Sequence, residues 1–108
     1  MSYITIVAST CRPEVEEKFN KWYNEVHVPM ILKSPWIKGA TRYKVVTQSP
    51  DCPRYLAIYE FEDKQKMEAH DKSPEMAAAI AELRQSWKGD DMKIIWRIQY
   101  ESTKTWRK

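Results

Sequence analysis

The chain has 108 residues, with 18 Lys and Arg against 15 Asp and Glu for a formal net charge of +3. That length fits one domain with one core and excludes most multi-domain enzymes. The nearly balanced charge lacks a block of one sign, which argues against nucleic acid as a partner, and two glycines are too few for a phosphate-cradling loop or a dinucleotide fingerprint. Two Cys and two His, without CxxC or HExxH spacing, argue against a metal centre, so neither metal nor cofactor is expected. The opening Ser2 to Arg12 lacks a basic leader, and no stretch approaches the roughly 20 apolar residues that span a bilayer. The expectation is a soluble, cytoplasmic chain with reduced thiols and no membrane partner. Five Trp and six Tyr exceed what so small a domain needs for its core.

In chain order, Tyr3 to Ala8 is β-branched or apolar and predicts a short central strand, followed by Ser9, Thr10 and Pro13 at a helix start. Pro13 suits the first helical turn, and Glu14, Glu16 and Glu17 suit the positive end of the helix dipole. Val15, Phe19, Trp22, Tyr23 and Val26 share one apolar face, and Pro29 predicts that the helix stops with His27 in its last turn. Gly39 to Thr47 alternates as a half-exposed strand. Gln48 to Pro53 reads as a turn, and Arg54 to Phe61 as a strand with apolar groups on both faces. Asp63 caps a short helix through Met67 and His70, and Ser73 caps a longer one whose buried stripe is Met76, Ile80, Leu83 and Trp87. Gly89 is placed to end that helix in a left-handed residue. Met92 to Glu101 alternates again, with Ile94, Trp96, Ile98 and Tyr100 on one face.

Strand, helix, strand, strand, helix, strand, with right-handed crossovers, gives an α+β ferredoxin-like βαββαβ sandwich: a four-stranded antiparallel sheet with two helices on one face. It forms one domain over residues 1–101 with a tail at 102–108 that is frayed or partner-bound. The other sheet face retains large apolar groups, so a homodimer packing sheet on sheet is the simplest cover.

On a helical wheel Asn20, Tyr23 and His27 line one flank of the first helix. If that flank overlooks a gap, His27 can exchange protons while Tyr23 and Asn20 hold a substrate oxygen. The alternative is a helix-terminal His that closes its last turn on a carbonyl. Tyr43, Tyr59, Trp87 and Trp96 either wall a flat apolar pocket or simply belong to the core. His70 reaches that pocket only if its helix folds over the mouth; otherwise it is solvent-exposed. Cys11 precedes a helix start but has no relay beside it, and an inert thiol is expected.

The stretch Phe19-Asn20-Lys21-Trp22-Tyr23-Asn24-Glu25-Val26-His27-Val28-Pro29, with an aromatic pair before His-x-Pro, resembles the first helix of the EthD-like branch of the dimeric α/β-barrel superfamily. Gly39 to Lys44 resembles the second strand of such domains, and His70-Asp71-Lys72-Ser73-Pro74-Glu75 resembles the entry to their second helix, also familiar in antibiotic-biosynthesis monooxygenases. The resemblance implies a homodimer whose sheets form a barrel, with a pocket in each subunit. Its catalytic His falls on His27, with Tyr23 and Trp22 as neighbours, and no second matched catalytic His is clear.

These features give a cofactor-independent enzyme doing acid–base chemistry on an aromatic or polyketide-like carbonyl compound, as cyclase, isomerase, dehydratase or lyase. His27, Tyr23 and Asn20 would be catalytic, and Trp22, Tyr43, Tyr59, His70, Trp87 and Trp96 substrate-binding. The alternatives are a cofactor-independent monooxygenase of aromatic compounds and a non-catalytic accessory protein that binds a small ligand. Tyr55, Tyr59 and Phe61 could also stack bases, but the third strand lacks the glycines of the usual RNA-binding motif.

Overall fold

The computed structural model describes residues 2–108. Strand β1 is Tyr3–Cys11. A continuous helical rod, α1, follows: a 3₁₀ turn at Pro13–Val15, α-helix at Glu16–Trp22, a π turn at Tyr23–His27 and α-helix again at Val28–Ile31. Strands β2 (Gly39–Lys44) and β3 (Tyr55–Phe61) come next, then helices α2 (Lys64–Asp71) and α3 (Pro74–Ser86), and finally β4 (Met92–Glu101). The sheet order is β2-β3-β1-β4, with every neighbouring pair antiparallel. The fold is the expected ferredoxin-like sandwich, with the helices on one face.

Alternation along β3 explains which face is covered. Tyr55, Ala57, Tyr59 and Phe61 are all buried and pack towards the helices, while Leu56 and Ile58 point the other way. The core on the covered side is aromatic. Phe19, fully buried, lies 5.4 Å from the Tyr23 and Tyr55 rings and 6.0 Å from Trp87. On the opposite face, cross-strand pairs place Trp96 beside Ala8, Ile98 beside Ile6, Tyr100 beside Ile4 and Tyr43 beside Leu56. Tyr43 and Tyr100 are each 52% exposed there.

Several local expectations change. β1 continues past Ala8, because Thr10 and Cys11 find partners in Lys93 and Met92 of the long β4. The register shifts between Ala8 and Ser9, so Ile94 pairs with Ser9 and leaves the row of Trp96, Ile98 and Tyr100. β2 ends at Lys44 rather than Thr47, and beyond it the Val45 amide donates to the Arg54 carbonyl. Asp63 and Ser73 cap α2 and α3 as expected, accepting from the amides of Lys66 and Met76. The α3 stripe turns so that the small Ala79 is fully buried while Ile80 is exposed. α3 ends at Ser86 without a left-handed glycine, since Gly89 has no positive φ.

The largest correction concerns α1. Pro29 does not stop it: Val28 holds helical angles, and its amide donates to the Tyr23 carbonyl five residues back. Phe19 is the ring about which this layer packs. Phe19→Ala should lower unfolding free energy by about 3–5 kcal/mol in urea titration, without changing the far-ultraviolet circular dichroism at low denaturant.

Candidate functional site

The π turn is the feature that shapes the first half of the site. A turn with i→i+5 bonding is rare and often marks function. Here it carries Tyr23 and His27 inward, both buried. The His27 ring stacks on Trp22 at 4.7 Å and meets the edge of Tyr23 at 5.1 Å. Burial pushes the imidazole down to about 4, against a weaker upward pull from Glu82, so it is neutral near pH 7. Its Nδ1 has no hydrogen-bond partner. The expected helix-terminal cap on a carbonyl therefore does not form through that atom.

The phenol of Tyr23 lies across the gap from Tyr59 of β3. Burial raises both, Tyr59 well above its ordinary value and further through Tyr23. The two hydroxyls influence each other's acidity, yet neither has a partner at good hydrogen-bond geometry. Both stay protonated and available as donors.

A third group enters from β2. Arg42 pairs with Ala57, so its side chain shares the helix-facing side of the sheet. Its guanidinium lies 4.2 Å from the centre of the Tyr23 ring, 5.1 Å from Tyr55 and 5.5 Å from Phe19. Nη1 donates to Asn24 Oδ1 at 2.9 Å, whereas Nε and Nη2 are buried without partners. An open groove of about 450 Å³, lined by Asn20, Asn24, Arg42, Tyr43, Lys44 and Tyr55, leads to it from solvent. At its rim Tyr55 donates to Glu16, which is also paired with Arg54 at 2.7 Å.

The other end of the gap holds His70. A small cavity of about 20 Å³, the size of one water, is bounded by Thr5, Ile31, Tyr59, Phe61, His70, Met76 and Arg97. His70 lies against Phe61 at 5.1 Å, and its Nδ1 is unpartnered. Burial lowers its pKa, and Asp71 opposes that shift. Asp71 is itself held by Arg97 at 2.7 Å and by Gln99 at 2.9 Å. His70 is thus neither exposed nor free of the gap.

These positions sort the sequence candidates. Tyr23, His27, Tyr59 and His70 are brought into one seam between sheet and helices. Asn20 is not aimed at His27; its amide donates to the Tyr55 hydroxyl at 3.0 Å, because the π turn changes the wheel between them. Trp22 and Trp87 are core rings 5.6 Å apart, and the Trp22 indole donates to Glu82. Trp96 pairs with Ala8 on the sheet face away from the helices, so it cannot wall this gap, and Tyr43 reaches only the groove's rim. His27 does not line the small cavity; Trp22 and Tyr23 fill the space beside it. Cys11 is buried and burial raises its thiol, in keeping with an inert group. Arg42 was missed: its place in the alternating β2 carried the signal, since an inward register position there holds a cation.

The arrangement defines a ferredoxin-like α+β protein with a polar seam under its helices. Residues 2–94 match the family described as "Domain of unknown function (DUF4286)", and the chain belongs to that family. No curated protein matches the sequence. Among solved structures, the chain is similar to an EthD family protein from Bacillus halodurans, with TM-score 0.70 and 15% identity over 95% of this chain and 99% of that one. It is also similar to a DABB family protein with a ferredoxin-like fold from Mesorhizobium loti, with TM-score 0.70 and 12% identity over 95% and 98% of the two chains. A third likeness is to a variant of MhuD with two manganese protoporphyrin IX molecules bound per active site, with TM-score 0.70 and 14% identity over 98% and 99%. The EthD resemblance holds for the fold. Among the described residues no helix is long and apolar enough to cross a membrane.

The buried state of His27 has a pH consequence. Its folded pKa of about 4 lies below the ordinary 6.5, so the unfolded chain takes up the proton first. Stability contributed by the neutral ring is complete above pH 6.5, falls between 6.5 and about 4, and is gone below that, a loss on the order of 3 kcal/mol. Unfolding at a series of pH values should show that decline, and His27→Gln should flatten it, with NMR assigning the low titration to the His27 ring.

Proposed function

We propose that this chain is a small cofactor-independent enzyme that moves a proton on a carbonyl-bearing aromatic or alicyclic compound held between its sheet and helices. The reading rests on one observation above others: His27, Tyr23, Tyr59, Arg42 and His70 each bury a polar atom without a partner between sheet and helices, with Tyr59 and His70 on the small cavity and His27 and Arg42 against the Tyr23 ring. Buried polar groups are nearly always hydrogen-bonded, so a cluster that is not fits a place where a ligand supplies the missing bonds.

Roles follow from position. The Tyr23 and Tyr59 hydroxyls, kept protonated by burial, donate to the carbonyl oxygen and hold the negative charge that develops on it. His70 borders the cavity in its neutral form, and its Nδ1 takes the proton from the carbon beside the carbonyl. Returning that proton to another carbon gives isomerisation; delivering it to a departing hydroxyl gives dehydration. His27 acts through Tyr23, as a positioning residue whose ring fixes the phenol from behind. At about 20 Å³ the cavity must widen to admit a ring, and Met76, the flexible side chain in its wall, is the group whose rotation opens it. A porphyrin such as the one MhuD holds is far larger than this space, and no step here uses one.

The open sheet face, with Tyr43, Trp96, Ile98 and Tyr100, is covered in this reading by a second copy of the chain. Ile98→Lys should convert a sedimenting dimer to a folded monomer; a wild-type chain that sediments as a monomer at tens of micromolar overturns the pairing.

Proton transfer is testable without knowing the natural substrate. In D2O, a panel of small aromatic ketones, β-dicarbonyl compounds and aromatic keto acids should gain deuterium beside the carbonyl in the presence of the protein. His70→Gln and Tyr59→Phe should slow that exchange by about 10²–10⁴-fold with the fold intact, and His27→Gln by less. Exchange no faster than in buffer across the panel removes the proposal.

A further inference from the structure

Arg42 is the most unusual charge in the molecule. Its guanidinium is inserted between α1 and the sheet, in contact with three aromatic rings, and among the described residues it has no carboxylate partner. Arg97, the other arginine on the helix-facing side, is neutralised by Asp71. Glu16, which accepts from the Tyr55 hydroxyl, is already engaged by Arg54. Arg42 is half-buried, and its Nε and Nη2, shut from water without partners, are costly to keep.

The free atoms have a shape. Nη1 is spent on Asn24, and the remaining atoms without partners, Nε and Nη2, form one side of the planar fork, two parallel N–H donors spaced for two oxygens of one planar group. The rings of Tyr23, Tyr55 and Phe19 hold the guanidinium in place. The groove reaches Arg42 from solvent, the Nε and Nη2 edge lies covered beneath it, and no counter-charge is present, all beside the proposed oxygen-binding Tyr23.

We propose that the groove between α1 and β2 takes the carboxylate of an organic acid, gripped by the Nε and Nη2 edge of Arg42, so that the substrate of the site is an aromatic or alicyclic carboxylic acid rather than a neutral ketone. This rests on the small-molecule reading of the gap and adds the charge of the substrate to it. Lys44 and the amides of Asn20 and Asn24 at the groove give the acid a polar entrance. Inorganic phosphate is the competing oxyanion, since a guanidinium edge also pairs with two phosphate oxygens. The Nε and Nη2 edge is covered in this structure, so an acid reaches it by parting α1 from β2, an edge strand held on one side only.

The experiment uses benzoate and benzamide, two planar probes that differ in charge, on the full chain at constant ionic strength, with binding read by saturation-transfer NMR and thermal shift. Benzoate should bind roughly tenfold or more tightly than benzamide. Arg42→Gln should erase that preference while leaving benzamide binding in place. Arg42→Lys should erase most of it, because an ammonium has no fork. Inorganic phosphate at the same concentration should not displace benzoate. If Arg42→Gln fails to fold by circular dichroism, the wild-type preference and Arg42→Lys decide the matter. Equal binding of the two probes, or a preference that survives Arg42→Lys, overturns the carboxylate site while the small-molecule reading stands. Binding of neither probe overturns both.

Discussion

Pro29 has no amide hydrogen, and much of the site follows from how the helix that contains it stays whole. An ordinary helix would ask Pro29 to donate to Glu25, which it cannot do. The π turn at Tyr23–His27 resolves this by bonding Val28 to Tyr23 instead, and the rod continues to Ile31. Two consequences reach the gap. Tyr23 and His27 both end up buried under the rod, and Ile31, carried past the proline, becomes a wall of the cavity beside His70.

The layer between sheet and helices is divided in character. Towards Trp87 it is a packed aromatic core, with Phe19, Trp22, Tyr23 and Tyr55 in edge and tilted contacts that are each favourable beyond the area they bury. From the groove at Arg42 to the cavity at His70 it also holds imidazoles, phenols and a guanidinium that each keep a buried polar atom without a partner. Each such group costs about 1–3 kcal/mol when buried alone. The dense aromatic packing of Phe19, Trp22, Tyr23, Tyr55 and Trp87 offsets that cost in so small a chain, whereas Trp36, Trp106, Tyr43 and Tyr100 are exposed and take no part in it.

The βαββαβ order was legible because strand alternation, the acidic first turn after Pro13 and the caps at Asp63 and Ser73 are local signals that tertiary structure left in force. The aromatic pair before His-x-Pro lies on the helix that carries the buried Tyr23 and His27. What sequence pattern could not carry was geometry set by partners elsewhere. Pro29 reads locally as a stop, yet a change of hydrogen-bond register rescues it. Ile94 alternates correctly with Trp96, yet the register shift at Ala8 and Ser9 moves it out of that row. His70, in a short polar helix, read as a solvent residue because nothing local says that α2 lies against Phe61. Trp96 and Tyr59 looked alike as aromatic positions on strands, and only the sheet order separates the two faces.

The fold by itself chooses no reaction, since chains at 12–15% identity share this backbone at TM-score 0.70. Chemistry has to be read from what each strand contributes to the covered face. The central strands supply short or neutral groups there, Thr5 and Ser9 from β1 and Tyr59 from β3. The edge strands supply the cations, Arg42 from β2 and Arg97 from β4, because a long side chain at an edge can reach inward while part of it stays near solvent. The seam is therefore a row of neutral donors with a positive charge at either end. At the β4 end that charge is answered within the chain by Asp71, which ties the sheet to α2 and fixes the His70 side of the cavity. At the β2 end it is answered by aromatic faces and one amide, a weaker arrangement that a bound acid would complete. The asymmetry between the two arginines gives the gap a direction, with its anchored wall at α2 and its uncompensated charge at the groove beside α1.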